Sequence, residues 1–218
     1  GRRAAQDLDR DGRLALRLLK SIPAASLGAA EELGLRHGFG SDRLRVGPVK
    51  MFADGTLGSS TALLESPYEG TTNVGIAVTP AAELKEKTIR AARAGLAVAI
   101  HAIGDRAVRH ALDAFEAAFS EGLRFPAPPR VEHVQLVGEA DIARFHRLGV
   151  VVSAQPIHLL TDRDLAARIW GERTGRSYAW KSLLRAKAML HFGSDAPFDR
   201  PGPLLALQAA VLRRDPAR

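Results

Sequence analysis

A chain of 218 residues, 46% hydrophobic and 25% charged, is long enough to bury one sizeable core and too apolar for a disordered or fibrous chain. Without cysteine it has no disulfide, thiolate metal site or cysteine nucleophile, which leaves His, carboxylates and modified Lys as possible ligands. The formal charge of +7 is spread from Arg2 to Arg218 without a cluster or interleaved aromatic platforms, so a nucleic-acid surface is not expected.

No apolar run approaches the roughly 18 residues of a spanning helix, and Gly1-Arg2-Arg3-Ala4-Ala5-Gln6 has no apolar signal core. A soluble, cytoplasmic protein with no membrane partner is expected. The chain starts with Gly1 rather than Met and enters what reads as the end of a helix or loop, as a fragment of a longer protein would.

Short branched apolar segments alternate with helix-period segments. The first strand is expected over Leu14 to Leu19 and the second over Val46 to Phe52. Pro80 to Ala94 reads as a helix with Thr79 as its cap, Pro in the first turn and Gly95 behind it. A third strand over Leu96 to His101 leads to a helix over Asp105 to Ser120, capped by Asp105, whose Val108, Leu112, Phe115 and Phe119 make an apolar face. Strands over Arg130 to Gln135 and Val150 to Gln155 flank a helix from Glu139 to Leu148 that stops at Gly149. Trp170 and Trp180 flank a basic, Gly-containing insertion that reads as a lid or as packing. A helix over Tyr178 to Lys187, a strand over Ala188 to Ser194 and a helix over Pro203 to Arg213 complete the pattern.

Strand and helix in strict alternation imply an α/β fold with a parallel sheet. A doubly wound sheet would fit, but no Gly-x-Gly-x-x-Gly turn follows any strand. The better reading is a (β/α)8 TIM-type barrel, incomplete, with about six of its eight strands, roughly strands three to eight, in one domain over residues 1–218.

Barrel sites are built at the carboxyl ends of strands. Four of these ends carry ligand-type residues: Lys50, His101, His133 and Asp195, each from a different unit. A lone histidine there is commonly a packing residue, whereas two with an Asp and a Lys on one face suit a divalent ion such as zinc. An ammonium is no ligand, so Lys50 is either an ion-pair partner of Asp54 or, deprotonated by burial, a carbamate formed with carbon dioxide. Asp54, Gln155 and His158 follow strand ends and are candidate substrate residues, with Gly55 and Gly58 shaping the mouth. Glu132 is expected on the opposite side of its strand from His133, paired with an Arg. His37, His110 and His146 are expected to be solvated, His191 structural, and Arg106 in a surface ion pair.

The stretch Val49-Lys50-Met51-Phe52-Ala53-Asp54-Gly55-Thr56-Leu57-Gly58-Ser59, then His101-Ala102-Ile103-Gly104-Asp105, Glu132-His133-Val134-Gln135, Ser153-Ala154-Gln155-Pro156 with His158, and Gly193-Ser194-Asp195-Ala196-Pro197, resembles amidohydrolase family three. This is the YtcJ-like branch that includes N-substituted formamide deformylase. The resemblance spans nearly the whole chain. It implies a carboxylated bridging lysine at Lys50, metal histidines at His101 and His133, a catalytic aspartate at Asp195, one or two zinc-type ions, and hydrolysis of carbon-nitrogen bonds in small, amide-type, non-peptide substrates. The family's first-strand His-x-His pair and its flanking β-sandwich have no counterpart here. Two outcomes of different class follow: a metal-dependent hydrolase, with a homo-oligomer possible, or a catalytically incompetent barrel fragment that associates through open strand edges.

Overall fold

The computed structural model of the chain describes residues 2–214; Gly1 and residues 215–218, the two ends of the expected domain, lie outside them. The elements in chain order are α1 (Arg2–Arg10), β1 (Leu18–Pro23), α2 (Leu27–Glu32), β2 (Leu44–Phe52), α3 (Ala81–Arg93), β3 (Val98–Ala102), α4 (Asp105–Ser120), β4 (Arg130–His133), α5 (Glu139–Leu148), β5 (Val151–Ala154), α6 (Pro156–Trp170), α7 (Trp180–Arg185), β6 (Met189–Phe192) and α8 (Pro203–Leu212).

All six strands are parallel and lie in the sheet in sequence order, β1 to β6. A doubly wound sheet reverses its strand order at a switch point, whereas a barrel never does. The unbroken order therefore makes this a partial barrel, open at β1 and β6.

Register divides the sheet into two faces, because paired residues in a parallel ladder point the same way. Met51, Ile100, Val131, Val152 and Leu190 form one outward row, and the first four are completely buried beneath the helices. Phe52, His101, Glu132, Ser153 and His191 form the inward row nearest the strand tips. Polar and aromatic side chains thus line the barrel interior while aliphatic ones hold the helices.

Helix ends follow local chemistry. α5 stops because Gly149 adopts the left-handed conformation (φ 64°) and its N–H returns to the His146 carbonyl. Thr79 does not cap α3: Pro80 occupies the cap position without a side-chain hydrogen bond. Asp105 is the first residue of α4, behind Gly104; its carboxylate accepts the N–H groups of Glu65 and Arg106, so it anchors a distant loop as well as its own first turn.

One expected element moves and one unexpected element appears. β1 lies at Leu18–Pro23 rather than Leu14 to Leu19. Pairing with β2 selects the polar Lys20-Ser21 stretch, and Pro23 is tolerated at the end of an edge strand. The segment after β5 is a 15-residue helix, α6, with Pro156 in its first turn. It does not read as one from the sequence because both its flanks are covered, by α8 and by the loop after β2, which leaves no clean apolar stripe. Trp170 and Trp180 are buried in packing, so this insertion is part of the body rather than a lid.

Candidate metal centre

The loop of residues 53–80 between β2 and α3 closes one side of the strand tips. Asp54 pins it: Oδ2 accepts the N–H groups of Leu63 (2.9 Å) and Gly104 (2.8 Å), and Oδ1 that of Ile103 (3.0 Å). At Gly104 a side chain would collide with the Leu63 carbonyl, so the two loops approach backbone to backbone. Leu57, Leu64 and Tyr68 of the loop make a small apolar cluster with Ile103, Leu136 and Trp170. Of the two readings of Lys50, the ion pair with Asp54 does not form. Lys50 instead holds its ammonium nitrogen 5.2 Å from the Phe52 ring centre.

His101, at the tip of β3, places Nε2 at 2.9 Å from the Gly55 carbonyl and 3.5 Å from Asp54 Oδ1. Nε2 therefore carries the proton and Nδ1 keeps a free lone pair. His133, at the end of β4, reaches the same space by a different route. Glu132, not His133, pairs with His101 in the ladder; the left-handed backbone of His133 (φ 74°) and Val134 (φ 49°) turns the His133 ring back inward. A β-branched residue in that region is costly, and such strain clusters at functional sites. The two imidazoles meet edge to face, 4.5 Å between centres. Glu132 is paired with Arg130 (Nε–Oε1 2.6 Å) as expected, but on the inner face rather than the opposite side, because it is His133 that departs from strand geometry.

Burial sets the charges of these groups. It lowers the pKa of His101 to about 4, with the Lys50 charge adding and the Gly55 carbonyl opposing. It lowers His133 well below the ordinary value, helped by His101, Lys50 and His158. Burial likewise lowers Lys50, against the pull of Glu132. It raises Asp195, against the attraction of His158 and Lys50. Two neutral imidazoles, an amine pushed toward its neutral form and a carboxylate made more basic are the protonation states that metal ligation and base catalysis need.

Lys50, His101, His133 and Asp195 line one cleft of about 560 Å³, with His158 among its other walls. Asp195 stands beyond β6 on a left-handed backbone (φ 55°), 3.9 Å from His158 Nε2. His158 is on the first turn of α6 rather than on a loop; its ring stacks on His133 at 5.8 Å. Gln155 is buried behind His133, its Nε2 donating to the Ser153 carbonyl. Neither Gln155 nor Asp54 lines the cleft. Of the other histidines, His146 and His191 are exposed, while His37 and His110 are partly covered rather than fully solvated. Arg106 is in its expected ion pair with Glu65 (3.6 Å).

The residues present fit a cation in chemistry, though not in number. His133 Nδ1 is buried without a hydrogen bond of good geometry, the Gln155 side chain being the polar group beside the ring, and a polar atom left so by the fold points to something the surrounding atoms supply incompletely. Among the described residues, however, no three His, Cys, Asp or Glu side chains converge closely enough to hold an ion by themselves.

The amidohydrolase family profile matches residues 3–218. The chain belongs to the amidohydrolase family. Among curated relatives of this chain, Protein LONG AFTER FAR-RED 3 of Arabidopsis thaliana is 40% identical over 179 residues, 81% of this chain and 31% of that protein. The putative amidohydrolase YtcJ of Bacillus subtilis is 35% identical over 170 residues, 77% of this chain and 32% of that protein. Among solved structures, uncharacterized metal-dependent hydrolases of Pyrococcus furiosus (37% identity, TM-score 0.85, 99% of this chain and 45% of that chain) and Pyrococcus horikoshii (38%, 0.85, 97% and 42%) match it. Ochratoxinase of A. niger shares the fold at 20% identity and a TM-score of 0.53. The chain thus spans about a third of the length of its curated relatives and under half of its structural ones.

Several residues of the cleft were not singled out from sequence. Asp162 lies one helical turn after His158, a spacing legible only once α6 is known to be a helix. Gln135 follows two left-handed residues, which strand alternation does not anticipate. Asp199 follows Asp195 by four residues on an irregular segment with no period to read.

Proposed function

We propose that the cleft is one part of a hydrolytic metal site that cleaves carbon-nitrogen bonds of small amides, completed by ligands from the remainder of the protein. The observation that carries this reading is the pair of buried, neutral imidazoles 4.5 Å apart at neighbouring strand tips, one with an orphaned nitrogen. His101, His133 and Asp195 hold a divalent ion, zinc by the preference of imidazole and carboxylate donors, with one or two ions in the whole site. Lys50 joins them once its neutral amine adds carbon dioxide and releases a proton, giving an N-carboxylate. When bound, the ion supplies hydroxide near neutral pH and draws charge from the attacked carbonyl.

The chain's own residues perform the proton work. Asp195, made more basic by burial, accepts a proton as water attacks the amide carbon, and returns it to the nitrogen as the C–N bond breaks. Water and amide become acid and amine. His101 is oriented by the Gly55 carbonyl, which Asp54 fixes through the loop. Asp54 and Gln155, set behind the imidazoles, support them rather than touch substrate, whereas His158 lines the cleft and contacts it. We further propose a small-molecule substrate and a cytoplasmic protein with no nucleic-acid or membrane partner; no helix among the described residues is long and apolar enough to cross a membrane.

Metal analysis and turnover of the full-length protein test the reading together. Stoichiometric zinc, lost in His101→Ala and His133→Ala, and a fall in kcat of about 10² to 10⁴ in Asp195→Asn with metal retained are the expected results. Activity kept in Asp195→Asn refutes its role. The second reading, a fragment that pairs through its edges, draws on exposed apolar side chains of the two edge strands, Leu19 on β1 and Met189 and Phe192 on β6; sedimentation of residues 1–218 alone as a metal-free dimer supports it.

A further inference from the structure

The polar wall of the cleft is built almost entirely of acceptors. Gln135 is 4% exposed, and its amide nitrogen is committed: Nε2 donates to Asp162 Oδ2 at 3.2 Å and faces His158 Nδ1 at 3.4 Å. Asp162 is held in turn by the Tyr178 hydroxyl, which donates to the same oxygen at 3.0 Å. This chain fixes the amide orientation, because exchanging its ends would set a carbonyl against a carboxylate. Gln135 Oε1 is left as a buried acceptor with no partner.

The same network fixes His158. With Nδ1 turned to the Gln135 amide, its Nε2 faces Asp199 Oδ2 at 3.4 Å and Asp195 Oδ2 at 3.9 Å. This nitrogen is thus already turned to carboxylates. Among the described residues no arginine borders the cleft, and its one lysine is Lys50, already assigned to the metal. Phe52, Leu57, Ile103 and Phe198 supply an apolar side. The hydroxyls of the lining, Thr56 and Thr161, are hydrogen-bonded to Ser59 and to the His158 carbonyl, so an anionic substrate arm would meet chiefly acceptors and carbon; an arm carrying N–H or ammonium groups would satisfy what the fold leaves unpaired.

Resting on the reading of this cleft as the hydrolytic site, we infer that the wall of Gln135, His158, Asp162 and Asp199 selects neutral or cationic amides, bound through N–H or ammonium donors, and rejects amides bearing a carboxylate there. The +7 charge of the chain as a whole points the other way, toward anions, but an exposed and dispersed charge is screened within about 10 Å, whereas the wall touches the ligand.

The test uses the metal-loaded full-length protein and three acetanilides whose para arm is aminomethyl, methyl or carboxymethyl. The expected kcat/KM for the aminomethyl compound exceeds that for the carboxymethyl one by about tenfold or more. This ratio falls about fivefold in Asp199→Asn and is kept in Asp199→Glu, the scale of one partly screened charge pair. Calorimetry with 2-phenylethylamine and 3-phenylpropionate reads the wall without turnover, and only the amine is expected to bind. An anion preference, a ratio unmoved by Asp199→Asn, or no binding of the amine overturns the inference even where hydrolysis is observed. Asp199-dependent amine binding in a protein that hydrolyses none of the three upholds the wall and overturns the hydrolytic reading instead.

Discussion

The two sides of the cleft are built to different standards. On the β2–β4 side every residue of β3 is buried, and the loop of residues 53–80 is tied down by two buried carboxylates, Asp54 and Asp105. On the β6–α8 side Met189 is 41% exposed, Leu204 80% and Phe198 87%, and Asp195 follows a strand with a single neighbour. His101 and His133 are therefore held in place by this chain alone, whereas Asp195, the carboxylate proposed to join them, sits at an open edge. A metal site assembled across that difference has one rigid jaw and one whose position depends on what covers β6.

Mutations should separate the jaws by size of effect. Asp54→Ala strands three buried backbone N–H groups and removes the anchor of the loop, so a loss of about 3–5 kcal/mol is expected from chemical denaturation. The matching change on the other side, Asp199→Ala, should move stability by less than about 0.5 kcal/mol. Equal losses would mean that the edge is as tightly built as the core. Ile100→Ala in β3 should cost about 3–4 kcal/mol by opening a cavity, against under about 1 kcal/mol for Met189→Ala, which is already half in solvent. Gly104→Ala comes next, at about 1–3 kcal/mol, since its new methyl must displace the Leu63 carbonyl; a neutral result would show that the two loops can separate.

The same contrast explains what the sequence disclosed. Strands β2 to β5 and helices α3 to α5 are covered on one face by a regular neighbour, so their apolar periods are clean and their places were legible. Lys50, His101, His133 and Asp195 were legible as strand-tip residues, and the structure lines them up in one cleft. β1 was displaced because its position is set by pairing with β2, not by its own residues. α6 went unseen because two different surfaces cover it. The inward turn of the His133 ring and the inner position of Glu132 rest on two positive φ angles, for which neither His nor Val gives a local signal. Asp54 carried the subtlest message: a carboxylate after a strand looks like a site residue, yet it is spent on backbone N–H groups 9 to 50 residues away.

Acidification gives the smallest and most specific test of the rigid jaw. The histidine and carboxylate at its centre respond to pH with opposite signs. His101 falls from 6.5 to about 4 on folding. Between those values the unfolded chain binds a proton that the folded chain does not, so its contribution is complete above pH 6.5 and is lost as pH falls toward 4. Asp54 rises from 3.8 to about 7 because burial outweighs its backbone hydrogen bonds. Over nearly the same window the folded chain binds the extra proton, so acidification stabilises. In the metal-free protein the two largely cancel, leaving the shallower acid loss due to His133, which is lowered in the same direction as His101. Asp54→Asn removes the opposing member while keeping an acceptor for the loop. Its stability should therefore fall more steeply than that of the parent between pH 6.5 and 4, by up to about 1 kcal/mol per pH unit in denaturant titrations. Parallel curves for the two proteins would mean that Asp54 is ionised throughout, held so by the N–H groups it accepts, and that it buttresses His101 as a fixed negative charge.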